Sequence, residues 1–265
     1  MLFNVGDLVT RKSYNNDMVF KITKIDGTYI LLKGINVRLV ADCDISDLVV
    51  CNGCEKEYFE DDDNLLERMK NVRKLDRDEY FYLPGKILHI DGDKDYLDRC
   101  LKFYKNMNVL SYGLVISEKN IASEVNEHLK KIKPDILVVT GHDAFNEESN
   151  NYLDEKNYKN SKYFVEAIKV ARAYEKNQNK LVIIAGACQS NYEELIKAGA
   201  NFASSPKRIN IHALDPAIIA SSVALSDQSK SIDLLSILEK TKYGKDGIGG
   251  IITNGVMFVG YPRWY

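Results

Sequence analysis

No apolar run in this chain approaches the roughly 20 residues that a bilayer-spanning helix requires, so the sequence predicts no membrane-spanning segment. The first residues, MLFNVGDLVTRKS, lack the charged and then long apolar layout of a secretory signal, and the expectation is a cytoplasmic protein. An excess of charge of one sign is missing too: 36 lysines and arginines face 38 acidic residues, a net charge of -2. That balance gives no global electrostatic reason to expect nucleic acid or an anionic membrane as partner. Cysteines number only five in 265 residues, an odd count and too sparse for a disulfide framework in a chain this long, which agrees with a reducing compartment. Internal repeats and low-complexity tracts are absent as well.

What the chain does hold is apolar content, 45% of its residues, enough for one large domain or a large and a small one with sizeable cores. Over residues 5–50, short β-rich runs (DLVTRKS, MVFKITKID, TYILLKG, VRLVAD) alternate with turn signals such as Asn15, Asn16 and Asp17, or Asp26 and Gly27. That texture predicts a small antiparallel barrel of SH3-like kind over residues 1–50. Residues 51–83 begin highly charged, with an acidic cluster at 61–63 ahead of a helix-like stretch, and predict an exposed helical connector. Pro84 and Gly85 then punctuate a change of texture.

From Lys86 onward, apolar runs alternate with amphipathic stretches: KILHIDGD, YLDRCLKFYKN, SYGLVISEK, IASEVNEHLKKI, DILVVTGHD, KYFVEAIKVARAYEKN, LVIIAGAC, NYEELIKAGA, NFASSPKRI. Phe164, Ile168 and Ala171 share one helical face, as do Leu97, Leu101 and Tyr104. A βαβα order predicts an α/β domain over residues 84–265, with a mostly parallel sheet flanked by helices. Strands such as ILVV and LVII read as unbroken apolar runs because both faces of such a sheet are covered.

Two turns carry the candidate chemistry. LVIIAGAC sets Cys188 at the carboxyl end of a strand, and ILVVTGHDAF sets His142 at the end of another, where open α/β sheets collect their ligands. Ser190 and Glu193 match the S-x-x-E capping box, so a helix is expected to begin two residues after the cysteine. Its amino end would bring free N–H groups and partial positive charge to the sulfur and lower the thiol pKa from about 8.5. The 46 residues between histidine and cysteine suit one crossover, which predicts neighbouring strands and an imidazole within reach of the sulfur. Small residues at Gly141, Ala185, Gly186 and Ala187 would let a substrate backbone approach, with nearby amides as an oxyanion hole.

Other candidates have quieter readings. His212, in INIHALDP, also ends an apolar stretch and rivals His142 as the partner. His89 lies inside an apolar strand and His128 on a polar helix face, and both read as structural. Cys51 and Cys54 form a lone C-x-x-C, and with only Cys43 nearby they fall short of the four ligands zinc needs. KDGIGG at 245–250 lacks the G-x-G-x-x-G layout and reads as a loop before a last strand, GVMFVGYP. SSPKR at 204–208 reads as an exposed basic loop.

A histidine after one apolar strand and a cysteine after the next resembles the caspase-like cysteine peptidases, with GAC standing where that superfamily has its alanine-cysteine pair. The segments GDLVTRKSYN, LHIDGD, VVTGHDAF, GACQSNYEELIKAGANFASSPKRINIHALDP and GIGGI together resemble the YabG family, the sporulation-specific peptidases of spore-forming bacteria. The resemblance implies a caspase-like fold and a cysteine peptidase of the mother cell that trims spore coat and cortex-associated proteins, with arginine the residue before the cut. It makes Cys188 the nucleophile and His142 the general acid/base. Where the superfamily has a glycine after the histidine this chain has Asp143, so the oxyanion donors are sought among the amides of Gly141, Asp143 and Cys188. An arginine pocket needs a carboxylate at its floor, for which Asp91 and Asp215 are the candidates. The mechanism requires no metal or organic cofactor.

Two other classes stay open at this point. One is a non-catalytic α/β scaffold that binds spore-coat proteins through its barrel, with Cys188 a buried turn residue. The other is a glutaminase-like amidotransferase, which shares the thioester chemistry but wants glycine where Ser190 stands.

Overall fold

A computed structural model describes residues 3–263 apart from 52, 71–79, 147, 150 and 153. Alternating apolar and polar positions near the amino terminus fold as five short strands: β1 (Leu8–Arg11), β2 (Phe20–Asp26), β3 (Tyr29–Gly34), β4 (Val40–Asp44) and β5 (Leu48–Val50). They pair antiparallel in the order β4-β3-β2-β1-β5. Phe20 and Ile22 of β2 point inward with Val9, Ile30, Leu32 and Leu48, while Lys21 and Thr23 face water. That is the period of two that a half-buried strand imposes.

Helix α1 (Cys54–Lys70) follows, and the acids at 61–63 lie inside it rather than ahead of it. A short strand β6 (Phe81–Leu83) leads to the alternating segment. There the chain runs β7 (Ile87–Asp91), α2 (Lys94–Asn106), β8 (Ser111–Val115), α3 (Glu118–Ile132), β9 (Ile136–Thr140), α4 (Ser161–Tyr174), β10 (Val182–Ala185), α5 (Tyr192–Ala198) and β11 (Phe202–Ser204). Each strand and helix read from the apolar runs is present. After them come α6 (Asp215–Ala224), α7 (Leu234–Leu238), β12 (Ile248–Gly250) and β13 (Phe258–Gly260).

The large sheet has the order β12-β11-β10-β9-β7-β8, with β7 through β11 parallel and β12 antiparallel at one edge. Strands β7, β9 and β10 are buried along their whole length. Val138, Val182 and Ile184 pack on one face with Phe103 and Tyr104 of α2 and Ile218 and Val223 of α6. Leu137, Val139 and Ile183 pack on the other with Ile121 and Val125 of α3 and Phe164 and Ile168 of α4. No helix among the described residues is long and apolar enough to cross a membrane.

Three elements depart from the sequence reading. The glycine-rich 245–250 stretch is not only loop, since Ile248, Gly249 and Gly250 form an edge strand against β11. Of GVMFVGYP, only Phe258, Val259 and Gly260 form a strand, paired with β6 in a separate two-stranded ribbon. The third is α6, buried on every side. A helix apolar all round has no amphipathic stripe to betray it.

Candidate active site

Strands β9 and β10 lie side by side, with Ile136 opposite Val182 and Val139 opposite Ala185. Their parallel register brings the turns at 141–143 and 186–188 together at one end of the sheet. Gly186 makes the second turn possible, since its φ of +107° is a conformation that disfavours a side chain.

Asp143 ties the two turns. Its carboxylate accepts from the amides of Ala144 (2.9 Å) and Asn160 (2.7 Å) and from the hydroxyls of Ser161 and Ser190 (2.9 Å). Ser190 in turn accepts from the Ala187 amide at 2.9 Å. Ser190 is therefore spent on the cysteine turn and does not cap a helix; Asn191 caps α5, which begins four residues past the cysteine. The capping box read at Ser190 and Glu193 is corrected accordingly.

Cys188 is fully buried, and its Sγ accepts from the Ile211 amide at 3.3 Å. Burial dominates its electrostatics and pushes the thiol up to about 12, against the lowering anticipated from a helix amino end. In this conformation the sulfur holds its proton.

His142 is oriented from three sides. Its Nε2 donates to Asp93 Oδ2 at 3.0 Å, its backbone amide donates to Glu118 Oε1 at 2.8 Å, and the Tyr96 ring stands edge-on at 5.5 Å. Asp93 also accepts from Lys33 at 2.6 Å and caps α2. Burial alone would raise the Asp93 carboxyl, but the hydrogen bonds from His142 and Lys33 hold it below the usual range. With Nε2 donating to an ionised carboxylate, Nδ1 of the neutral ring is an acceptor, and it is buried with no hydrogen-bond partner among the described residues. Tyr96 reaches past His142, its hydroxyl donating to Gly34 O and Val37 O of the β3–β4 loop. Gly141 serves close approach: a Cβ there would lie 2.5 Å from Glu118 Oε1.

Asp91 ends β7 beside this pair. It accepts from Thr140 Oγ1 (2.7 Å) and from the Asp93 amide (2.9 Å), and it pairs with the guanidinium of Arg38, a residue of the β3–β4 loop. Behind it runs a relay of single protons, from the Tyr104 hydroxyl to His89 Nδ1 (2.9 Å) and from His89 Nε2 to Thr140 Oγ1 (2.8 Å). His89 is thus neutral, and burial lowers its pKa. Asp215 is close enough for the Arg38 charge to act on it, but it is Asp91 that pairs with the guanidinium. The Asp215 oxygens accept from the amides of His212 (3.0 Å) and Lys242 (2.9 Å), and burial raises its carboxyl to about 7. His212 itself is tied to its own turn, with Nδ1 accepting from the Leu214 amide at 3.2 Å.

Sequence reasoning passed over Asp93, Glu118 and Arg38. Asp93 had a signal, the second acid of DGD ahead of a helix, but that pattern reads as a cap. Glu118 and Arg38 had none, being 24 and 53 residues from their partners. Cys51 and Cys54 are joined as a disulfide at the start of α1. Among the described residues no cluster of three or more histidine, cysteine or acidic side chains is arranged to hold a metal ion.

Comparison with known proteins gives two similarities. A family model described as YabG peptidase U57 matches residues 4–262. The sporulation-specific protease YabG of Bacillus subtilis (strain 168) is 41% identical over an alignment of 286 residues that covers 99% of each chain.

Proposed function

Because the chain belongs to the YabG peptidase U57 family, we propose that it is a sporulation-specific cysteine endopeptidase with Cys188 as nucleophile and His142 as general acid/base. The observation that carries this reading is the pairing of the two strand-end turns, with Asp93 holding the imidazole on the far side from its free Nδ1. In this reading residues 84–265 form a caspase-like domain, residues 1–50 an SH3-like barrel that recruits substrates or gates the site, and residues 51–83 a connector. Spore coat and cortex-associated proteins of the mother cell are the substrates, and neither nucleic acid nor a membrane is a partner.

The chemistry follows from the groups in place. His142 Nδ1 takes the Cys188 proton, and the thiolate attacks the scissile carbonyl. Amides of Cys188 and of Gly141 or Asp143 would receive the oxyanion. Collapse expels the amine, which takes the proton back from Nδ1 and leaves a thioester. A water deprotonated by His142 then hydrolyses the thioester and restores the thiol. Apart from that water, only side chains and backbone amides take part. The buried Asp91 carboxylate, already holding one guanidinium, supports arginine as the residue before the cut.

One observation favours a second reading, a scaffold that binds coat proteins without cutting them: Cys188 is buried and its thiol pKa is raised. The test incubates the full chain, Cys188→Ala and His142→Ala with a proteome-derived peptide library and reads the new termini by mass spectrometry. Cuts after arginine made by the wild type and lost in both variants are expected. Cutting that persists in Cys188→Ala, or none by any form, overturns the peptidase reading.

A further inference from the structure

Resting on that reading, we propose that the β3–β4 loop at residues 34–39 is a built-in competitor that sits in the peptide groove of the enzyme. Three contacts seat it there as an added strand would be seated. Val37 forms an antiparallel bridge with His212, the Ala213 amide donates to Asn36 O at 2.9 Å, and the Arg38 amide donates to Ile211 O at 3.4 Å. Main-chain pairing of this kind is how an extended peptide is held against a sheet edge, with side-chain pockets supplying selectivity. Arg38 fills such a pocket. Its guanidinium is fully buried, paired with Asp91, donating to Ala213 O at 2.9 Å and lying 3.5 Å from Cys100 Sγ. Ile211 links the loop to the candidate nucleophile, because the same residue donates its amide to Cys188 Sγ.

The loop is also held so that a cut after Arg38 would release nothing. Leu39 O accepts from the Gly34 amide at 2.7 Å, so the residue that would leave stays in the hairpin. The Tyr96 hydroxyl shares its proton between Gly34 O (2.6 Å) and Val37 O (2.9 Å), and Arg99 donates to Ile35 O at 2.6 Å while pairing with Asp62. A cavity of about 600 Å³ borders the start of the loop, lined by Gly34 and Ile35 together with Lys33, Asp95 and Arg99. Withdrawal of the loop exposes Cys188, empties the Asp91 pocket and frees the backbone of Ile211 to Ala213 in one motion. The enzyme turns over only from the withdrawn state, and its apparent activity scales with that fraction.

The test compares the full chain with Arg38→Ala, Arg99→Ala and Cys188→Ala, each checked for folding by circular dichroism. Two rates are read, alkylation of Cys188 by iodoacetamide near neutral pH and cleavage of a fluorogenic peptide with a single arginine. Loss of the charged hydrogen bonds that hold the loop, from Arg38 to Asp91 and Ala213 O or from Arg99 to Ile35 O and Asn36 Oδ1, should raise both rates on the order of tenfold or more in each variant. Mass spectrometry of the wild type should show no terminus at Leu39. Arg99→Ala lies outside the pocket, so it decides the matter if Arg38→Ala does not fold. Unchanged alkylation in a folded Arg99→Ala, or a terminus at Leu39, overturns the competitor. Cleavage that depends on Cys188 but is no faster in the loop variants also overturns it and leaves the peptidase standing. Faster alkylation with no cleavage by any form supports the occluding loop and sinks the peptidase.

Discussion

Asp93 joins two tasks in one carboxylate: Oδ2 orients His142, and Oδ1 caps α2 and accepts Lys33. Asparagine keeps the cap but removes the charge that stabilises an imidazolium. Asp93→Asn should therefore lower kcat by about 10²-fold or more with KM little changed, read by steady-state kinetics on an arginine peptide. Asp215 and Asp91 shape the pH dependence of stability with opposite signs. Burial raises Asp215 to about 7, against about 3.9 in an unfolded chain. The folded state then holds a proton that the unfolded state has lost between about pH 4 and pH 7, so this group makes stability fall as pH rises through that window, with no further change above it. Asp215→Asn should flatten the slope of urea midpoint against pH there. At Asp91 burial pushes the carboxyl up but Arg38 outweighs it, leaving it below the usual range. Its contribution is present above about pH 4 and is lost as pH falls further.

At the level of elements, the apolar runs in β7, β9 and β10 were legible because strands covered on both faces carry no polar positions. Less legible were elements whose character comes from neighbours: β12 is a strand because β11 offers it an edge, and α6 is a helix without an amphipathic stripe. Ile184 of β10 is 1% exposed, and Ile184→Ala should cost about 2–5 kcal/mol in urea unfolding through the cavity it leaves. The β9 turn depends on the absence of a side chain at Gly141, where a Cβ would meet Glu118 at 2.5 Å. Gly141→Ala should cost about 1–3 kcal/mol by overpacking, and the double variant with Glu118→Ala should recover part of that, measured in the same unfolding assay.

For the whole molecule, the Arg38 and Asp91 pair joins the amino-terminal sheet to the large one through two fully buried charges. Arg38→Met alone should cost about 3–5 kcal/mol, because it strands a buried carboxylate, whereas Arg38→Met with Asp91→Leu should cost distinctly less in a double-mutant cycle of urea midpoints. The pair also marks the limit of what spacing along the chain conveys. Local periodicity and turn chemistry decided the order of strands and helices, the burial of the sheet, and the placement of His142 and of Cys188 each at the end of a strand, since these rest on residues a few positions apart; that the two strands adjoin is read from the length of one crossover. Tertiary structure alone decided that Asp93 rather than a nearer group holds the imidazole, that Asp91 and not Asp215 pairs with the guanidinium, and that Cys188 is fully buried with the Ile211 amide on its sulfur. The first two depend on contacts between segments 49 and 53 residues apart and the third on desolvation by chain 23 residues away, none of which a local pattern of residues conveys.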